Sequence, residues 1–247
     1  METVDHNLWQ QLVAWLHTLG IHPGTGVVGG VGAQVGEGVS TAVGRLDMPS
    51  LLALAAALGW SSGFRLYAVV FLVGMAGTLG WMDLPAGLQM LQHPVVLVVS
   101  ACLLFVEFFA DKIPGLDSVW DLLNSVVRIP AGAALAAGVF GADSATMGLV
   151  AGLMGGTLAA SSQAAKTTTR AAINTSPEPF SNLAASLLED GLVVAALFLA
   201  TQHPLVFAVL LFIAVVLMWI VTWTLFKFLR AAVYRLRSFF SRAPHAF

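Results

Sequence analysis

The chain has 247 residues, of which 58% are hydrophobic and only 10% charged, against about 25% charged in ordinary soluble domains. With a mean hydropathy of +0.86 it lacks the polar residues to cover a water-facing surface, so a soluble domain is excluded and a lipid bilayer is the expected surrounding. A net charge of −2 gives no basic field for nucleic acid.

In chain order, residues 1–48 differ from the rest. Leu8, Leu12, Trp15, Leu16 and Leu19 share a helical face beside Trp9, which reads as an interfacial amphipathic helix with aromatic anchoring. No basic n-region precedes an apolar run there, so no cleaved signal peptide is expected. Gly24 to Gly44 repeats small residues around a single charge, Glu37. It is either a connector or a small-residue helix packing on the bundle or a neighbouring subunit, which would make a homo-oligomer.

A spanning helix needs about 20 apolar residues. Leu66 to Met82, Pro94 to Val106, Ile129 to Ala142, Ser144 to Ala165, the segment around Gly191 to Thr201, and Pro204 to Phe226 are the candidates. The expected fold is an all-α polytopic integral membrane bundle of about six spans. Lys227, Arg230, Arg235, Arg237 and Arg242 follow the last span. The positive-inside rule therefore puts the tail, including 241–247, in the cytoplasm, with the chain in a bacterial inner membrane.

Two short strings recur. Gln92-His93-Pro94 matches Gln202-His203-Pro204, and Ser61-Ser62 ahead of Arg65 matches Ser161-Ser162 ahead of Lys166 and Arg170. The expectation is an internal duplication, residues 50–141 and 145–240, with the second copy inverted if each holds an odd number of spans. The serine strings read as polar breaks with broken or re-entrant helices. Non-helical backbone at membrane depth survives only against protein or a watery cavity. Free N–H groups at restarted helices, with Ser61, Ser62, Ser161, Ser162, Arg65, Lys166 and Arg170, would then bind a small anionic solute or a lipid headgroup. Ordinary loops at the membrane surface are the alternative.

Glu107 follows thirteen uncharged residues and lies four from Asp111, with Lys112 adjacent and Pro114 closing the helix. Charge inside a span costs about 2.5 kcal/mol or more and marks functional candidates. Glu107, Asp111 and Lys112 are therefore expected either to couple ions or protons, or to form a structural ion pair at the interface, Glu107 with Lys112, Arg128 or Arg65. Asp117, Trp120 and Asp121 read as the first turn of an interfacial helix, and Glu189-Asp190 stands ahead of the span from Gly191. The chemical motifs are few. Gly59-Trp60-Ser61-Ser62-Gly63 satisfies G-x-S-x-G, but that elbow needs a strand, which this pattern does not offer. His93 and His203 sit beside prolines at helix starts and one cysteine is present. No enzyme activity, catalytic residue, metal or cofactor is expected.

Ser62-Gly63-Phe64-Arg65, Ala110-Asp111-Lys112-Ile113-Pro114 with Trp120-Asp121, and Ser176-Pro177-Glu178-Pro179-Phe180-Ser181-Asn182 together resemble the family of bacterial membrane proteins termed domain of unknown function 4126. The likeness covers roughly residues 50 to 200. It implies a multi-spanning membrane protein and brings no substrate or catalytic residue with it. From the residues alone, a transporter or channel for a small anionic solute, proton-coupled through Glu107, is the leading expectation. An anionic-lipid translocase of the polyprenyl-phosphate type and a non-transporting scaffold stand behind it.

Overall fold

The structure is a computed structural model, and it describes residues 48–111, 113, 116–141, 144–175 and 179–241. The amphipathic and Gly-rich segments expected over 1–47, Lys112, and the tail beyond 241 lie outside the described residues. Among these there are helices and no strands: α1 (Met48–Thr78), a short 3-10 helix (Ala86–Gln92), α2 (Pro94–Ala110), α3 (Leu116–Gly138), α4 (Ala145–Ile173), α5 (Pro179–Gln202) and α6 (Pro204–Ser241). Four of them are long and apolar enough to cross a membrane, and the 3-10 helix with α2, bent by 69°, offers a fifth crossing. The chain is a multi-pass helical membrane bundle.

Its helices are built inside out. On α3, Asp121, Asn124 and Arg128 fall three and four residues apart and are buried, while Leu122, Leu123, Val126 and Val127 are exposed. On α5, Asn182, Ser186 and Glu189 are buried while Leu183, Leu187 and Leu188 are exposed. In water this pattern would reverse. In lipid the apolar face needs no partner, and the polar stripe must find one.

Small residues let the central helices touch. A Cβ on Gly59 of α1 would run into the backbone of Gly155 on α4, and one on Gly63 into Ser162 and the Ala159 carbonyl. Gly132 of α3 lies against Ala159 and Gly59. The α1, α3 and α4 backbones thus pack at the small-residue contacts typical of membrane helices.

The serine strings correct the sequence expectation of two breaks. Helix α4 runs unbroken through Ser161 to Arg170, and α1 runs through Ser61 and Ser62. The Ser62 hydroxyl donates to the Leu58 carbonyl at 2.5 Å, and that of Ser161 to Thr157 at 2.9 Å. Ser62 and Ser161 thus satisfy their hydroxyls on their own helices and continue them. A single departure stands in α1, at Arg65, whose φ of −145° and ψ of 73° leave the helical region and kink the helix. Pro94 and Pro204 do begin helices, each after its histidine, and the His93 ring caps α2 by accepting from Val95 N at 3.3 Å. The preceding elements differ: seven residues of 3-10 helix before His93, and the 24-residue α5 before His203.

Candidate functional site

Five helices turn their polar stripes onto one another. Arg65 comes from the kink of α1, Glu107 and Asp111 from the end of α2, and Asp121 and Arg128 from α3. Lys166 and Arg170 lie one turn apart on α4, and Glu189 and Asp190 sit mid-way along α5. Arg65, Arg128, Arg170, Glu107, Asp111 and Asp121 are fully buried, and Lys166 and Glu189 nearly so.

The contacts form one network. Arg65 pairs with Asp111 at 2.9 Å and Asp190 at 3.0 Å, lies 3.7 Å from Glu189, and donates to the Ser186 hydroxyl at 2.5 Å. Arg128 bridges Glu107 and Asp121, the latter at 2.9 Å, and donates to Gln163 Oε1 at 2.8 Å. Lys166 Nζ is the hub, with Glu189 at 3.1 Å, Asp121 at 3.2 Å, Glu107 at 3.6 Å and Asp111 at 3.8 Å. Arg170 reaches Glu189 at 3.1 Å and Asp111 at 3.5 Å, and donates to the Asn182 carbonyl at 3.1 Å. Lys166 also donates to the Phe64 carbonyl at 3.0 Å, a backbone oxygen beside the kink. The helix break and the ion network are therefore one construction, since a charged hub compensates the disturbed backbone.

The formal balance is uneven. Among the described residues four bases (Arg65, Arg128, Lys166, Arg170) face five carboxylates (Glu107, Asp111, Asp121, Glu189, Asp190), which leaves one surplus negative charge when all are ionised. Burying charges costs several kilocalories per mole each unless they are paired. One bound proton or one cation would close the balance. Asp190 is the odd member: among the described residues Arg65 is its one base within 4 Å, and 35% of its side-chain surface is exposed.

Of the residues singled out from sequence, the structure brings Arg65, Lys166, Arg170, Glu107 and Asp111 into this network. Ser62 and Ser162 stand apart as packing residues, Ser162 donating across to the Trp60 carbonyl at 2.7 Å. Ser161 is partly exposed on the outer side of α4. Ser61 is wholly buried, and its hydroxyl lacks a hydrogen-bond partner among the described residues. Asp121 corrects the expectation of an interfacial first turn: it is buried between Arg128 and Lys166. Gln163 and Asn182 escaped sequence reading as site residues, and Arg128 entered it only as a candidate ion-pair partner of Glu107. The seven-residue interval from Asp121 to Arg128, two helical turns, was the signal available for Arg128.

Outside the network, a lateral fissure of about 480 Å³ opens between α1, α2 and α5, lined by Phe71, Phe105, Phe108, Ala101 and Asp190 among others. A second groove of about 460 Å³ between α1, α4 and α6 is lined by apolar side chains alone. No curated protein and no solved structure gives a significant match to the chain. The profile of one family, described as Domain of unknown function (DUF4126), matches residues 52–224, and the chain belongs to that family.

Proposed function

We propose that the protein is a membrane transporter in which protons taken up by the buried acid–base network admit a small anionic solute. The observation that carries this reading is the enclosure of nine charges with five acids against four bases. With every base held by carboxylates, an anion has no free partner. One proton neutralises the cluster, and a second releases a base and leaves a positive charge for an anion to balance. Coupling of this kind makes solute and proton travel together. Arg65 and Lys166 would change partners at the α1 kink, where a bend could open the path.

Proteoliposomes test this by uptake of chloride, nitrate or phosphate under an imposed inward proton gradient. Wild-type protein should accumulate at least one of them, and Glu107→Gln should keep uptake while flattening its dependence on pH. Absence of gradient-driven uptake for all three anions would rule out the reading. It would leave the second one, a non-transporting assembly protein, which the closure of every base in ion pairs favours. An anionic-lipid translocase is less well supported, because the lateral fissure presents a carboxylate to the bilayer.

The same reading takes the membrane to be the bacterial inner membrane, with the C-terminus cytoplasmic. Lys227 and Arg230 support this. They lie beyond the apolar length of α6, against Trp223 at 5.2 Å and Tyr234 at 5.6 Å, as interfacial anchors do. A reporter fused at Phe247 should give a cytoplasmic signal, and a periplasmic one would reverse the topology. The paired serine and Gln-His-Pro strings support duplicated units over 50–141 and 145–240. Superposing the two units measures this, through coincidence of the helices after His93 and His203.

A further inference from the structure

We infer that the lateral fissure between α1, α2 and α5 is a binding site for a lipophilic monovalent cation, with Asp190 as its counter-charge. Three features of the fissure converge on this ligand class. Its walls are apolar and it is open rather than enclosed, as entry of a hydrophobic body requires. Phe71 and Phe105 are among its lining, and aromatic faces attract desolvated cations. The polar side chain lining it is Asp190, a carboxylate and neither a base nor a hydroxyl.

Charge decides the sign of the occupant. Among the described residues Asp190 has one base within 4 Å, Arg65 at 3.0 Å, whereas Glu189 beside it is held by Lys166 and Arg170 and lies near Arg65 as well. The surplus negative charge of the network thus has one place where a ligand can neutralise it without displacing a buried base. That place is the side of Asp190 left exposed. An anionic or zwitterionic headgroup would bring its negative end against the same carboxylate. The groove between α1, α4 and α6 is of similar size and equally apolar, but it has no charged lining residue, so it gives no preference for a cation. A volume of about 480 Å³ accommodates a body of drug-like size. The site shares Asp190 with the charge network, but its test is independent of anion transport, since occupancy is read without any gradient.

The test uses the full chain in detergent or nanodiscs and radiolabelled tetraphenylphosphonium in equilibrium dialysis. Saturable binding is expected, about tenfold weaker or more in Asp190→Asn and retained in Asp190→Glu. Ala101→Trp, which fills the fissure from α2 and replaces no charged residue, should abolish binding. It decides the matter even if Asp190→Asn fails to fold. Unchanged affinity in Asp190→Asn, unchanged affinity in Ala101→Trp, or wild-type uptake no greater than the partition into protein-free lipid would each overturn the proposal.

Discussion

Arg128→Ala is expected to cost about 3–5 kcal/mol of stability, the usual penalty for removing one partner of a buried ion pair. The guanidinium is fully buried between Glu107 and Asp121, and it also donates to Gln163. Among the described residues alanine would leave both carboxylates sharing only the Lys166 ammonium, at 3.6 and 3.2 Å. Water cannot reach them in compensation, because the outer face of α3 consists of lipid-facing Leu122, Leu123, Val126 and Val127. The measurement is unfolding of purified protein in mild detergent, followed by helicity or by loss of monodispersity. Replacing the three charges together, as Arg128→Met with Glu107→Met and Asp121→Leu, should be far milder. Apolar side chains of similar volume often match or improve on a buried ion cluster. A loss below about 1 kcal/mol for Arg128→Ala would place this pair among exposed surface bridges and contradict its burial.

That contrast explains which parts of the molecule were legible in the sequence. The apolar runs identified a membrane bundle because lipid imposes length and composition directly on a helix. The two Gln-His-Pro strings marked helix starts because proline at the first turn forgoes an N–H that would be unpaired anyway. Arg65, Lys166, Arg170, Glu107 and Asp111 were conspicuous because charge among apolar residues has few cheap explanations. What composition could not reveal was pairing. Arg65 and Asp190 lie 125 positions apart, and nothing local to either names the other. The serine strings misled for a different reason. A sliding view of polarity reads Ser61-Ser62 and Ser161-Ser162 as interruptions, whereas each hydroxyl of Ser62 and Ser161 can bond the carbonyl four residues back and let the helix continue. Asp121 looked interfacial because it precedes the long apolar stretch of α3. Only the two-turn match to Arg128, with leucines and valines filling the opposite face, places it inside.

Arg65→Met should both destabilise the protein and abolish solute uptake, and the two effects should separate when Asp190→Asn is added. Arg65 is buried at the kink of α1 and holds Asp111, Asp190 and Ser186. Without it the network faces five carboxylates with three bases, and the surplus negative charge doubles. Asp111 retains Lys166 at 3.8 Å and Arg170 at 3.5 Å, and Glu189 retains closer contacts to the same two. Asp190 is left with no base within 4 Å among the described residues. Neutralising it returns the surplus to one and removes the carboxylate most in need of compensation. The double variant should therefore recover about 0.5–3 kcal/mol over the sum of the single changes, the range found for residues in contact within one charge network. Uptake should stay absent, because methionine supplies neither the base that an anion would meet nor the donor that binds Ser186. Unfolding in detergent and proteoliposome uptake, measured on wild type, both singles and the double, give the complete cycle. Additive stabilities would deny the Arg65–Asp190 contact. Wild-type uptake in Arg65→Met would remove Arg65 from the transport path and leave the kink a feature of packing alone.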